Sequence, residues 1–174
     1  MMDTRPKASS AARKRALSGC NIVVTRPEKQ AKELADLIRA EGGCAILFPA
    51  LEIIEADDLR PLHQLIGRLE QFDLAIFISA NAANRAMSEI VARRELPEKL
   101  KIAAIGAGSS KALQRSGVKE VIYPASRFDS EALLELPQLR DMAGKRIVIF
   151  RGQGGRELLG ETLEKLGARV EYVD

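Results

Sequence analysis

The chain has 174 residues, 46% of them hydrophobic and 29% charged, a balance that fits a globular protein and excludes a disordered one. Its formal charge of +3 invites a nucleic-acid partner, but residues 1–19 hold five cations against one acid, a net of +4, which leaves −1 for 20–174. No nucleic-acid partner is therefore expected.

Other classes fall on similar grounds. No run approaches the roughly 20 apolar residues needed to span a bilayer, so no membrane role is expected. Residues 1–19 lack an apolar core and are rich in Ala, Ser and Arg, which reads as a disordered basic leader and not as a secretory signal. Cys20 and Cys44 have no metal spacing and read as thiols of a reducing cytoplasm. With His63 the only histidine, neither a structural zinc site nor a Ser-His-Asp triad is in reach, and no metal is expected; His63 reads as a surface residue. The absence of Trp and the 4% of aromatics argue against a base-stacking platform.

After Gly19, strands alternate with helices. A β-branched run at 22–24 is followed by Thr25, Arg26 and Pro27; Leu34, Leu37 and Ile38 then make a helical stripe that stops at Gly42 and Gly43. Residues 45–54 (AILFPALEII) read as an extended edge segment, because Pro49 cannot donate to a central ladder. A helix is predicted over 59–69, a buried strand over 74–78, and a helix over 79–92 capped by Ser79 or Asn81. Next come a strand at 102–105, a helix at 109–116 ended by Gly117, a strand at 121–123, and a helix capped by Ser130 that runs through Leu136. A strand at 147–150, a helix at 156–166 stopped by Gly167, and a strand from 170 to 173 complete the series. Short continuous apolar strands alternating with helices predict a flavodoxin-like α/β fold, a parallel sheet with helices on both faces.

Sliding the chain by 125 residues lays Ile22 on Ile147, Arg26 on Arg151, Leu34 on Leu159, Ile38 on Leu163 and Gly42 on Gly167, with no gap. Either two βα units agree by chance or the chain holds an internal repeat. A repeat would have its first copy over about 22–146 and would begin a second at Ile147.

In a parallel sheet the ligand loops lie beyond the carboxyl ends of the strands, here 25–28, 79–82, 106–109 and 151–155. The segment RGQGGR (151–156) invites a phosphate loop, but counted from Gly152 the sixth position of G-x-G-x-x-G is Glu157, and no Gly-Lys-Ser/Thr follows. The glycines at 106 and 108 fail in the same way at Lys111. What remains is either a set of tight turns or a generic anion cradle of backbone amides at Gly152, Gly154 and Gly155, flanked by Arg151 or Arg156. Ser79, Ala80 and Asn81 offer a helix cap or a carboxylate cradle, Gly106 and Ser109 the same choice, and Arg26 an ion pair or an acidic ligand. No loop carries an acid–base pair or an activated nucleophile, so the chemistry points to binding and orientation.

At these loops the chain resembles the uroporphyrinogen-III synthase family. The matching stretches are VVTRP (23–27), FPALEI (48–53), FISANA (77–82), AIG (104–106), SEALL (130–134) and GKRIVIFRGQGGRELL (144–159), in order over about 21–174. The resemblance implies two α/β domains joined by ladder strands, with the active site between them. On this chain it makes 20–44 the opening βα unit of domain one, 45–54 and 169–174 the connecting strands, and 55–168 domain two. The remainder of domain one would lie beyond this chain, a C-terminal truncation, and little or no activity is expected of the 174 residues.

The resemblance also implies the reaction: a cytoplasmic, monomeric lyase that cyclises hydroxymethylbilane with loss of water and inversion of ring D, without a cofactor. The substrate-binding set it implies is Arg26, Ser79, Ala80, Asn81, Gly106, Ser109, Arg151, Gly152, Gly154 and Gly155. Ile78 stands where the family often has Thr. The family's candidate catalytic Tyr would fall near position 176, past Asp174, and Tyr172 is not in register with it. The competing expectation is a non-enzymatic flavodoxin-like binding or regulatory module. A receiver of that kind needs an acidic pocket and an Asp at a strand end, where this chain has Ser79 and Gly106.

Overall fold

Runs such as 74–77 and 147–150, apolar on both faces, are stable only when both faces are covered. In the computed structural model, which describes residues 15–54, 58–152 and 157–173, both are fully buried strands. The chain divides after residue 55 into two units, and every strand pair in either is parallel.

The first unit is one βαβ turn: β1 (Asn21–Val24), α1 (Glu28–Ala40) and β2 (Cys44–Leu47). Val24, Ala31 and Ile38 form its small core, with Leu17, Ile22, Leu34 and Ala45 packed around them. Gly42, at a φ of 85°, takes the left-handed turn that ends α1 and that a side chain would strain. Residues 15–19 are described, Leu17 packs on the core, and its N–H donates to the Glu41 carbonyl at 3.0 Å. Residues 1–14 lie outside the described set. The extended segment at 45–54 is strand only as far as Leu47, although Phe48 and Ala50 still donate to the Val24 and Thr25 carbonyls at 2.9 and 3.2 Å. Val23, Ile46, Phe48 and Leu51 are exposed.

The second unit runs α2 (Arg60–Ile66), a 3-10 turn (Leu69–Gln71), β3 (Leu74–Phe77), α3 (Ala80–Val91), β4 (Lys101–Ala104), α4 (Ala107–Arg115), α5 (Ser130–Leu134), a second 3-10 turn (Pro137–Leu139), β5 (Arg146–Phe150), α6 (Leu158–Lys165) and β6 (Arg169–Val173). Its sheet has the order β4-β3-β5-β6. The pleat sends Ala75, Phe77, Ile102, Ala104, Val148 and Phe150 to a core shared with α2, α3 and α4. Leu74, Ile76, Ala103, Ile147 and Ile149 go to the other face, against Leu133 of α5 and Leu159 and Leu163 of α6. Phe77 and Phe150 are register partners, and their rings stack at 4.7 Å with 7° between planes.

Several local expectations shift. The helix predicted over 59–69 stops at Ile66, and its remainder is the 3-10 turn. Of the two caps offered for α3, Ser79 serves: its Oγ accepts from the Ala82 N–H at 3.0 Å. The cap of α5 is Asp129 and not Ser130, because the carboxylate reaches the Ala132 N–H at 2.7 Å. The strand predicted at 121–123 is reduced to a bridge at Ile122, which exchanges two hydrogen bonds of 2.8 Å with the Ile102 carbonyl and the Ala104 N–H. His63, with 35% of its side chain exposed, has a partner at the surface: its Nε2 lies 2.8 Å from Glu89 Oε2 and ties α2 to α3.

The 125-residue repeat is structural. β1 pairs with β2 from Asn21 opposite Cys44, and β5 with β6 from Arg146 opposite Arg169, the same register after the shift. Gly19 and Gly144 both have positive φ, as do Gly42 and Gly167. The Cys44 N–H bond to the Cys20 carbonyl and the Arg169 N–H bond to the Lys145 carbonyl are both 2.8 Å. In the stretches expected as connecting strands, β2 pairs with β1 and β6 pairs with β5, each in parallel.

Near the amino ends of β3 and β5 the second unit is tied by charge. Asp73 accepts from the Arg146 N–H at 2.8 Å and from Lys145 Nζ at 3.2 Å. Glu171 pairs with Arg68 at 2.7 Å and with Arg146 at 3.4 Å, and both guanidinium groups lie over the Phe72 ring. The Arg146 N–H above all holds the Asp73 carboxyl below its usual range. A carboxyl lowered by folding adds stability above its unfolded pKa, about 3.9, and loses it as the pH falls through the folded value. Asp73→Asn should therefore lower stability at pH 7 and flatten the acid limb of a stability–pH curve measured by urea unfolding. In the same assay Phe150→Ala should cost about 3–5 kcal/mol, since it empties one half of a buried ring stack.

Candidate active site

Between β3 and β4 the chain moves to one side of β3, and it later returns to place β5 on the other side. This reversal of strand order leaves a crevice outside the carboxyl ends of β3 and β5, where ligands of open α/β sheets bind. The ladder runs one residue past the strands: the Ile78 N–H donates to the Phe150 carbonyl at 3.2 Å, Ile105 to Phe77 at 3.2 Å, and Arg151 to Val173 at 2.9 Å. These bonds fix the backbone from which the loops depart.

A pocket of about 350 Å3 opens there, lined by Ile78, Ile105, Phe128, Asp129, Ser130, Ile149, Arg151, Leu159 and Tyr172. The Arg151 guanidinium carbon lies 4.1 Å from the centre of the Tyr172 ring, a cation–π contact worth about 0.5–2 kcal/mol. Burial pushes the Tyr172 phenol above its ordinary value; the Arg151 charge opposes this and the Glu157 and Glu164 carboxylates reinforce it. Gly160 lies directly behind the phenol, where a Cβ would overlap its hydroxyl. Gly106 plays the same part for Phe128: a Cβ there would stand 2.8 Å from the Phe128 Cβ and 2.9 Å from its ring.

Of the sequence-derived candidates, Arg151 lines the pocket directly. Ser79 and Gly106 follow its floor residues Ile78 and Ile105, and Ala80 and Asn81 make the first turn of α3. The Ser79 hydroxyl is engaged in capping, which leaves its own proton to donate. Ser109 is 6% exposed inside α4. Gly152 stands in open space, while Gly154 and Gly155, with Arg156, lie outside the described residues. Arg26 belongs to the first unit, at the end of β1, where its Nη2 donates to Gln30 Oε1 at 3.3 Å. Among the described residues no three His, Cys, Asp or Glu side chains gather as a metal would need, and no helix is long and apolar enough to cross a membrane.

The family profile described as uroporphyrinogen-III synthase HemD matches residues 32–174. The chain belongs to this family. The uroporphyrinogen-III synthase of Escherichia coli strain K12 is 37% identical over 155 residues, which make up 88% of this chain and 63% of that one. The Proteus mirabilis enzyme is 30% identical over 154 residues, 87% of this chain and 76% of that one. The chain thus spans just under two thirds of the length of its Escherichia coli relative. A crystal structure of a mutant uroporphyrinogen III synthase from the extremely thermophilic bacterium Thermus thermophilus superposes with a TM-score of 0.64 at 19% identity, over 88% of this chain and 60% of that one, a likeness of fold.

Within this uroporphyrinogen-III synthase family member, sequence reading missed Phe128, Leu159 and Tyr172. The signal was present in two glycines. Gly160 sits inside a helix, where glycine is unfavourable by about 1 kcal/mol and so marks a close approach. Gly106 opens α4 beneath an aromatic ring. Gly160→Ala should destabilise the second unit by about 1–3 kcal/mol despite its better helix propensity, because the new methyl meets the Tyr172 hydroxyl. Tyr172→Phe in that background should recover most of the loss, a double-mutant cycle readable by urea unfolding.

Proposed function

We propose that this chain serves the reaction of its family: conversion of hydroxymethylbilane to uroporphyrinogen III, with loss of water, ring closure and inversion of ring D. The observation that carries this reading is the family match across 32–174, which takes in β3, β4 and β5 and the loops at their carboxyl ends. The substrate carries eight carboxylates. Backbone amides at the helix starts, the Ser79 hydroxyl and the Arg151 guanidinium are the donors such a ligand needs, each charge-assisted bond adding about 1.5–3 kcal/mol.

The reactive species is intrinsic to the substrate. Electrons of the pyrrole that bears the hydroxymethyl group expel its oxygen, which takes up a proton and leaves as water, and the substituted α-carbon of ring D attacks the resulting azafulvene to give a spirocyclic intermediate. The old bond from that carbon to the ring C methylene then breaks, leaving a second azafulvene on ring C, and the free α-carbon of ring D attacks it and loses a proton, which closes the macrocycle with ring D inverted. The protein's part is to fold the bilane so that the inverted closure outruns the spontaneous unrearranged one, a gain of orientation. No general acid is assigned among residues 1–174, and no cofactor enters the scheme. We place the enzyme in the cytoplasm as a monomer, acting on a small molecule and not on nucleic acid.

The test is a hydroxymethylbilane assay in which type I and type III porphyrins are separated after oxidation. The 174-residue chain alone should give type I product at the spontaneous rate. A chimera that continues residues 1–174 with the remaining segment of the Escherichia coli relative should give mostly type III. Type I alone from a folded chimera would overturn the reading.

A further inference from the structure

The 125-residue repeat sets one face of the first unit beside its counterpart in the second. After the shift, Val23 and Phe48 correspond to Val148 and Val173, which lie buried in the core shared with α2, α3 and α4. On the first unit the same face, turned away from α1, is bare: Val23 keeps 56% of its surface in water, Ile46 47% and Phe48 65%. The run that follows adds Leu51, Ile53 and Ile54, each more than half exposed. A parallel sheet is stable with both faces covered, and two strands with one helix fall short of that.

The polar positions of the two faces differ in a way that selects the occupant. Where the second unit carries Arg146, Arg169 and Glu171, the first has Asn21, Cys44 and Ile46. Residues 21–24 and 44–51 include no charged side chain, so two copies of this face meet without like-charge repulsion. Its six apolar side chains offer on the order of 100 Å2 each, as large a patch as a monomer ordinarily leaves in water. With a polar rim they approach the ~800 Å2 that each partner gives to a standard interface.

We propose that the 174-residue chain pairs with a second copy of itself through this face, the two bare sheets stacked about a two-fold axis at the ~10 Å spacing of packed sheets. Such a contact is closed, since each copy covers the other. The pairing goes beyond the reaction proposed above and does not rest on it. The monomer placed there is the enzyme at its relatives' length, whereas the pairing belongs to the 174 residues.

The test is sedimentation equilibrium of the 174-residue chain over a range of concentrations. A species of twice the 19.0 kDa chain mass is expected, forming with a Kd of about 1–50 μM. Ile46→Glu gives this position the charge that Glu171 holds in the second unit and should weaken pairing at least about 30-fold, as should Val23→Lys. Leu37→Glu, at an exposed position of α1 on the other side of the sheet, should leave the Kd within about twofold. Cys44 is an exposed thiol at the amino end of β2 on the bare face. Its alkylation, followed by peptide mass mapping, should slow at least about fivefold from monomer to dimer. Should Ile46→Glu fail to fold by far-UV circular dichroism, Phe48→Glu, one residue past β2, takes its place.

A monomer at every concentration up to about 500 μM would overturn the proposal. So would a dimer indifferent to both Ile46→Glu and Val23→Lys, one broken by Leu37→Glu, growth beyond the dimer, or a Cys44 alkylated at the same rate in both states.

Discussion

The parallel contact between β3 and β5 is the constraint on which the second unit depends. Parallel neighbours cannot be joined by a hairpin, so between Phe77 and Arg146 the chain makes two crossovers, adding β4 on one side of β3 before it returns to place β5 on the other. Those crossovers supply α3 and α4 on one face of the sheet and α5 on the other. They also bring two carboxyl-terminal strand ends together with no strand between them, and the Phe77–Phe150 stack locks that juncture from beneath. The crevice is a result of topology before any side chain is chosen.

The two ends of this sheet are built for different tasks. At the amino ends, Asp73 and Glu171 are each bonded by two cationic residues, and Phe72 fills the space under the guanidinium groups. At the carboxyl ends, glycines admit aromatic rings, the helix starts present amides, and the Arg151 guanidinium lies against the Tyr172 ring. Stability and recognition are thereby separated along the strand axis, which matches a scaffold that must stay rigid while its loops meet a ligand.

Much of the fold was legible in the sequence because its signals are local. Continuous apolar runs mark β3 and β5, and the positive φ at Gly42, Gly117 and Gly167 falls where those glycines were expected to stop helices. The repeat was legible for the same reason, since one register serves both βαβ turns. What failed depended on partners distant in the chain. Ile122 pairs with β4 through a single bridge, so the run at 121–123 does not make a strand. Asp129 wins the cap of α5 through the reach and charge of its carboxylate, which a serine reading from composition overlooks. In the site, Ser79 and Arg151 were visible because they follow strands directly. Tyr172 was not, because its relation to Arg151 exists only once β6 lies beside β5.

The apolar segment after β2 has a further consequence. Residues 45–54 combine β-branched and aromatic side chains in a stretch exposed at Ile46, Phe48, Leu51 and Ile54, the composition of a segment prone to stack with copies of itself. Pro49 and Glu52 interrupt it. The proline ring withholds an N–H two residues after β2 ends, and the glutamate sets a charge between Leu51 and Ile53, so an approaching strand finds neither a continuous ladder nor a dry face. These two residues are gatekeepers of the kind that flank unavoidable hydrophobic strands, and they oppose growth of a ladder on this apolar edge.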